Sequence, residues 1–313
     1  YFLQMHSEFN YKVFYVSFIY KEYKALKTKY TNVLYALNIF HVFKIIESSI
    51  LITSHGILFH KFLKKFKGMK TFNIGHGITN VLNTKKPKEQ DPIFDSHWVM
   101  SNFEKTVIEN DLKRKILNLE PTGFLRVDNL VSNRHKKEEI KNQLNLKGKI
   151  GLYAPSGVEI YDKDNDNNFQ YQNLEFLRIL NKECKKNKIT LIFKPHYFNY
   201  SYREIEKDVI SYIENSTNLV YFKKFDEISM NEMMICSDFL ITDYSSLFVD
   251  YLVLKKPIIF LNVIKRREVY KYSQYLDNEY INFIDTFKEF ERSFKNLIFE
   301  SPNLEKLEEF EKI

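Results

Sequence analysis

Residues Ser237–Asp250 read SDFLITDYSSLFVD. Phe239–Thr242 is a short apolar, β-branched run, the pattern of a strand buried on both faces. Asp243-Tyr244-Ser245-Ser246 interrupts it with a polar turn, and Leu247–Leu254 continues as an apolar helix. A buried strand that turns at once into a helix is the building unit of a parallel α/β sheet. The turn leaves two serines at a helix start, where unpaired backbone N–H groups and the positive dipole end converge. Such a place suits a pyrophosphate. The same residue types also serve as plain helix caps, and Asp243 and Ser245 fit that role equally well.

The pattern repeats on both sides of this stretch. Lys149–Ala154, Ile189–Lys194, Asn218–Phe222 and Pro257–Leu261 read as strands, with Leu174–Lys186, Ser201–Ile213 and Ser229–Cys236 as helices between them. Upstream, Tyr11–Phe18, Ser49–Thr53, Lys70–Ile74, Ser96–Ser101 and Lys115–Leu119 read as strands, with helices at Lys21–Lys27, Asn38–Ser49 and Phe103–Asn110. Thr286–Ile313 reads as one or two C-terminal helices. The chain has 313 residues, about two domains' worth. The polar stretch Asp128–Gly148, rich in Lys, Glu and Asn, reads as the boundary between them. The expected fold is therefore α/β: two Rossmann-like domains facing a cleft, 1–130 and 131–313, followed by C-terminal helices. In such sheets ligands bind beyond the carboxyl ends of the strands, so the polar residues that follow strands are the candidates for chemistry.

Composition narrows the partners. Lys and Arg number 47 against 40 Asp and Glu, a net charge of +7 with a pI near 9.0. A mildly basic surface suits nucleotide phosphates, phosphorylated polymers or anionic headgroups. No dense Lys/Arg block of the kind that binds nucleic acid occurs. The two cysteines, Cys184 and Cys236, form no CxxC pair and no metal-ligand spacing. They read as thiols of a reducing compartment. No signal peptide and no apolar run long enough to span a bilayer are visible. The expected location is the cytoplasm, either free or peripherally on the cytoplasmic face of the inner membrane.

Several strand ends carry chemistry-bearing residues. Ile189–Tyr197 (ITLIFKPHY) delivers Lys194 and His196 to a strand end, with Pro195 stiffening the turn, an arrangement that suits a phosphate. Asn73–Asn80 (NIGHGITN) places His76 between two glycines, where a ligand approaches closely and an imidazole works as a general base. His55-Gly56 is a second His-Gly pair after a strand, and spacing does not choose between the two. In Gly123–Leu130 (GFLRVDNL), Arg126 and Asp128 are expected to pair and fix the hinge. Asp162–Asn168 begins like a calcium loop but has Asn167 at the sixth position and Asn173 at the twelfth, so it reads as a polar loop. No metal site is expected, and no HExxH, P-loop or GxSxG pattern is present.

In this order, the segments GHG (75–77), SNFEK…TGFLRVDNL (101–130), LYAPSG (152–157), KPH (194–196) and SDFLITDYSSLFVDYLVLKKPIIF (237–260) resemble the CDP-glycerol glycerophosphotransferase family of teichoic-acid and capsule polymerases. The resemblance runs from about position 35 to 262. It implies a GT-B arrangement, with the donor nucleotide held mainly by the C-terminal domain. It implies that Ser245 and Ser246 hold the donor phosphates together with Lys194, Asp243, Pro155 and Ser156, and that His196 contacts the pyrophosphate. His76 would be the base that activates the acceptor hydroxyl. Asp250 would bind donor or brace the loop, and Gly123, Arg126 and Asp128 would form the hinge. The implied partners are a CDP-linked donor, used as substrate with no cofactor required, and a surface-glycan or polyol acceptor; no nucleic acid is implied. The chain departs from the family in having Gly75 rather than Trp before His76, and LNVIKRREVYKYSQYLD after Phe260. Two other readings of the same cleft are a GT-B glycosyltransferase using a nucleotide sugar and a module that binds anionic polymers without chemistry.

Overall fold

The computed structural model describes residues 12–54, 68–75, 94–106, 108–109, 118–155, 174–194, 207–222, 228–243, 245–261, 280–284, 290 and 294. The chain divides into two compact units. Of the described residues, the first unit holds 12–54, 68–75, 94–97 and 118–119, and the second holds the rest.

The first unit opens with β1 (Tyr15–Ser17) and β2 (Val33–Tyr35), paired in parallel around helix α1 (Tyr20–Lys27). Helix α2 (Ile39–Ile46) follows, its first turn capped by Asn38, whose side chain accepts from the N–H groups of Phe40 and His41. A four-stranded sheet has the order β3 (Ile50–Thr53), β4 (Lys70–Asn73), β5 (Ser96–Val99), β6 (Leu119–Pro121), with β3, β4 and β5 parallel. Strand β2 was not legible in the sequence, being three residues long with no alternation to mark it.

The second unit is built on a six-stranded sheet. In chain order its elements are α3 (Asn102–Thr106), α4 (Leu125–Asn133), a 3₁₀ turn (Arg134–Lys136), α5 (Lys137–Gln143), β7 (Lys149–Tyr153), α6 (Leu174–Lys186), β8 (Ile189–Phe193), α7 (Lys207–Glu214), β9 (Leu219–Tyr221), α8 (Met230–Cys236), β10 (Phe239–Thr242), α9 (Leu247–Leu252), β11 (Ile258–Leu261) and β12 (Ile281–Ile284). The strands run β12-β11-β10-β7-β8-β9, all parallel. Strands β7, β10 and β11 are buried along nearly their whole length, which is why they read as unbroken apolar runs rather than alternating ones. Two cores cover the two faces. One gathers Leu152, Ile192, Leu240, Phe248 and Phe260, and the other Tyr153, Phe176, Leu180, Phe193 and Ile241. Gly151 sits where β7, β8 and β10 are tightest: a Cβ there would come within 2.5 Å of the Phe239 ring and 2.9 Å of Leu191.

The stretch Asp128–Gly148 is not an open linker. It folds as the end of α4, the 3₁₀ turn and α5, and buries Leu130, Ile140 and Leu146 in the core beneath. Its polar residues form the outer faces of short amphipathic helices, a pattern easily mistaken for a loop when few apolar positions carry it. The structure also adds β12, whose INFI run escaped the sequence reading. The proposed C-terminal helices, Thr286–Ile313, lie almost wholly outside the described residues.

Candidate functional site

The chain passes from β7 to β8 to β9 in one direction across the sheet, and from β10 to β11 to β12 in the other. The order reverses between β7 and β10, and beyond the carboxyl ends of two such strands lies the place where open α/β sheets bind ligands. These two strands end in Ala154-Pro155 and in Asp243–Ser246, the two segments singled out from the sequence. They are locked together there. The Ala154 N–H donates to the Ile241 carbonyl at 3.0 Å, and Thr242 Oγ1 donates to the Ala154 carbonyl at 2.6 Å. Beside them the Lys194 N–H donates to the Tyr153 carbonyl at 2.8 Å, which fixes the end of β8 against β7. The structure therefore brings Pro155, Lys194, Asp243, Ser245 and Ser246 to one edge of one sheet.

The two serines have different jobs. Ser245 Oγ accepts the Leu247 N–H at 3.3 Å, and the Ser245 N–H closes a tight turn on the Asp243 carbonyl at 2.8 Å. Ser246 occupies the cap position of α9, yet its side chain makes no capping bond. Ser245 thus fills the capping role, and the Ser246 hydroxyl is not used by the helix. Asp243 is buried, 1% exposed, at the base of the turn. The helix is shorter than its sequence suggests, ending at Leu252. Serine hydroxyls, not a long helix dipole, are the chief donors this turn offers.

Asp250 does not face this turn as a free ligand. Its carboxylate is buried and accepts twice from Arg126, at 2.6 Å from Nε to Oδ2 and 3.1 Å from Nη2 to Oδ1. The Asp250 carboxylate is thus tied to α4 through Arg126. Arg126 correspondingly does not pair with Asp128. Both lie on α4, two residues apart, and side chains at that spacing point to different faces of a helix. Asp128, the other hinge candidate, stands in the first turn of α4. Gly123 precedes that helix with φ 74°, the left-handed conformation that a glycine takes without strain. Burial pushes the Asp250 carboxyl up, and the Arg126 guanidinium opposes the shift.

A second carboxyl near Arg126 was missed by sequence reasoning. Glu104, 1% exposed, accepts the Met100 N–H at 2.7 Å, while Ser101 Oγ accepts the Glu104 N–H at 3.2 Å. The signal was present: Ser101-x-x-Glu104 is a capping-box spacing. Burial pushes this carboxyl up to about 7, against the opposing pull of the Met100 N–H and the Arg126 charge. The folded protein therefore keeps a proton that the unfolded chain releases near 4.5. The stability this contributes is complete below that value and is lost as pH rises through about 7. Glu104→Gln retains an oxygen for the Met100 N–H and removes the titration. Its stability relative to the parent is expected to rise between about pH 5 and pH 8, by at most about 3 kcal/mol. Melting curves of both proteins across that range check it. Parallel curves would refute the buried titration.

His76, His196, Ser156 and the rival His55 lie outside the described residues, as does Tyr244. Gly75 is described and has φ 72°, its N–H donating to Asn73 Oδ1 at 3.0 Å, so the glycine before His76 does supply the sharp backbone turn read from the sequence. Among the described residues no group of three or more His, Cys, Asp or Glu is placed to hold a metal ion.

The family model for CDP-glycerol:poly(glycerophosphate) glycerophosphotransferase matches residues 2–298. The teichoic acid poly(glycerol phosphate) polymerase of Bacillus spizizenii is 30% identical over 169 residues, covering 50% of this chain and 35% of the relative. The teichoic acid glycerol-phosphate primase of Bacillus subtilis is 24% identical over 236 residues, covering 70% and 57%. The matched part of the chain thus spans about a third of the first relative's length and little over half of the second's. Among solved structures, the wall teichoic acid polymerase TagF superposes with a TM-score of 0.67 at 18% identity, over 94% of this chain and 74% of that one. UDP-GlcNAc 2-epimerase from Methanocaldococcus jannaschii gives 0.61 at 11% identity, over 96% and 89%. At these identities the likeness speaks for the fold, which is of the GT-B type.

Proposed function

Because the chain belongs to the CDP-glycerol:poly(glycerophosphate) glycerophosphotransferase family, we propose that it transfers a phosphorylated unit from a CDP-linked donor to a hydroxyl of a teichoic-acid, capsule or related surface glycan, releasing CMP. The unit is glycerol phosphate, ribitol phosphate or another CDP-activated phosphoryl group. The observation that carries the reading is the edge between β7 and β10. A polar turn stands there at the reversal of strand order, with one serine bonded to the helix start and the other making no capping bond.

In the reaction so read, the acceptor oxygen attacks the donor's β-phosphorus. The bond from that phosphorus to the CMP oxygen breaks, and CMP leaves with the electron pair. The acceptor's proton passes to His76. Ser246, Lys194 and His196 stabilise the oxygens around the reacting phosphorus, where preorganised donors and charge lower the barrier most. Pro155 and Ser156 belong to the donor-binding set, and Asp243, buried at the base of the turn, supports it from beneath. No step calls on a metal or a cofactor.

Incubation with CDP-glycerol, CDP-ribitol and a panel of UDP-, GDP- and CDP-sugars tests this. CMP is the expected nucleotide product, and a CDP-alcohol is expected to raise the melting temperature more than the other donors, since stabilisation grows with concentration over Kd. Release of a nucleoside diphosphate from a sugar donor would instead establish the glycosyltransferase reading. Salt-sensitive polymer binding without preference among nucleotides would establish the binding-module reading.

The first unit supports a peripheral role at an anionic membrane. Helix α2 and its approach leave Leu37, Ile39, Phe40 and Phe43 exposed, at 75%, 66%, 75% and 60%. Helix α1 lies beside it, the Tyr23 ring 5.8 Å from His41, and carries exposed Lys21, Lys24 and Lys27. Apolar side chains flanked by lysines match a headgroup interface. No helix among the described residues is long and apolar enough to cross a membrane. The chain is expected to co-sediment with phosphatidylglycerol vesicles and not with phosphatidylcholine ones, and Phe40→Asp with Phe43→Asp to release it. Equal binding to both vesicle types, or none, would reject the proposal.

A further inference from the structure

Ser246 and Asp250 are four residues apart, one helical turn, and so lie on the same side of α9. A helix of six residues has almost no stability of its own, so its tertiary ties decide where it sits. Three are seen among the described residues. Phe248, Val249 and Tyr251 are buried in the core, Tyr251 OH and Ser237 Oγ share a hydrogen bond of 2.9 Å, and Asp250 takes both arms of the Arg126 fork. Apolar packing holds the helix down but tolerates small rotations. Two parallel N–H···O bonds to a planar guanidinium fix distance and plane together.

Arg126 is itself held on two further sides. Its guanidinium lies 4.2 Å from the centre of the Phe124 ring, and its carbonyl accepts from Asn231 Nδ2 at 2.9 Å. Asn231 also donates to Asn129 Oδ1 at 3.0 Å, so the first turn of α4 is tied to α8. A buried ion pair is a poor way to add stability, since an apolar pair of the same volume does as well or better. What this pair adds is geometry.

Resting on the phosphoryl-transfer reading above, we propose that Arg126 and Asp250 form a positioning device for the reaction. The pair touches no substrate. It sets the rotation of α9, and through it the direction of the Ser246 hydroxyl toward the donor phosphate. An interaction whose use is placement at the reacting phosphorus appears in kcat more than in donor KM.

The full chain, with CDP-glycerol as donor and CMP release as readout, tests this. Arg126→Lys keeps the charge and loses the fork; Asp250→Asn keeps the shape and loses the charge. Each variant, verified as folded, is expected to lose about 10- to 100-fold in kcat with donor KM changed less than about threefold. The double variant is expected to be no slower than the slower single one, because both break one interaction. Turnover within about twofold of the parent in both single variants, or losses that multiply in the double, overturns the proposal. Amide hydrogen exchange gives a readout independent of turnover. The amides of 247–251 are expected to exchange faster in Asp250→Asn while those of β7 stay at the parent rate; unchanged exchange at 247–251 overturns the brace. A parent chain that releases no CMP from any CDP-alcohol would sink the phosphoryl-transfer reading, and the exchange measurement would then decide the brace by itself.

Discussion

Arg126→Ala is expected to destabilise the second unit by about 3–5 kcal/mol, the usual cost of removing one partner of a buried ion pair. The size follows from what is left behind. The Asp250 side chain is 6% exposed, and both carboxylate oxygens lose their donors at once. The carboxylate, buried apart from the side that Arg126 covered, then either stays charged with fewer donors or takes up a proton, and both cost free energy. The reverse substitution is expected to be milder. Asp250→Ala leaves Arg126, whose side chain is 31% exposed and whose flexible stem lets the head turn to water. The order of stability is therefore parent, then Asp250→Ala, then Arg126→Ala. Acid adds a second signature. Without Arg126, the Asp250 carboxyl is raised by burial alone, so the variant's deficit shrinks as pH falls and the carboxyl is neutralised. Urea or thermal unfolding of the three proteins at neutral and mildly acidic pH checks both points. Equal losses in the two variants, at every pH, would show that the pair behaves as a surface ion pair.

The second large effect is on turnover. Replacing His76 or His196 by Ala is expected to lower CMP release by about 10²–10⁴-fold, the range that removal of a general base or a phosphate contact produces. Ser246→Ala is expected to cost about 10²-fold, as loss of one preorganised donor does. Ser245→Ala works differently. Its hydroxyl accepts the Leu247 N–H, so that variant is expected to lose about 1 kcal/mol of stability in addition to any effect on rate. Because the Ser246 side chain makes no capping bond, Ser246→Ala is expected to melt with the parent. The contrast between the two serines, one read in melting temperature and the other in rate, separates a cap from a ligand. A His55→Ala control distinguishes the two His-Gly pairs: full activity in it and loss in His76→Ala assigns the base to His76, and the opposite result moves the role to His55.

The placement of much of the candidate site was legible because it lies at strand ends, and strand ends are local. Pro155, Lys194, Asp243, Ser245 and Ser246 each follow a short apolar run, and each does stand at the carboxyl end of a parallel strand. The partners of Arg126 were not legible. Asp128 is near it in sequence but on another face of the helix, whereas Asp250, 124 residues away, carries the contact. The spacing after Ser101 marks Glu104 as a helix-start residue, but not its burial, because a buried carboxylate and an exposed one look the same in a sequence. The helices at 125–143 escaped because their apolar positions are few and their polar faces dominate.

The class of the fold, the strand-turn-helix units and the family are all written locally in the chain, since buried parallel strands demand continuous apolar runs and tight turns demand particular residues at fixed spacing. That β7 and β10 are neighbours emerges only on folding, which places Thr242 against Ala154, 88 residues apart, and makes that edge the point where strand order reverses. Folding alone decides which serine caps the helix and which carboxylate the Arg126 fork holds. One cause underlies each case. Pairings between distant segments are chosen by how whole sheets and helices bury their apolar faces, and that choice is written in no single stretch of residues.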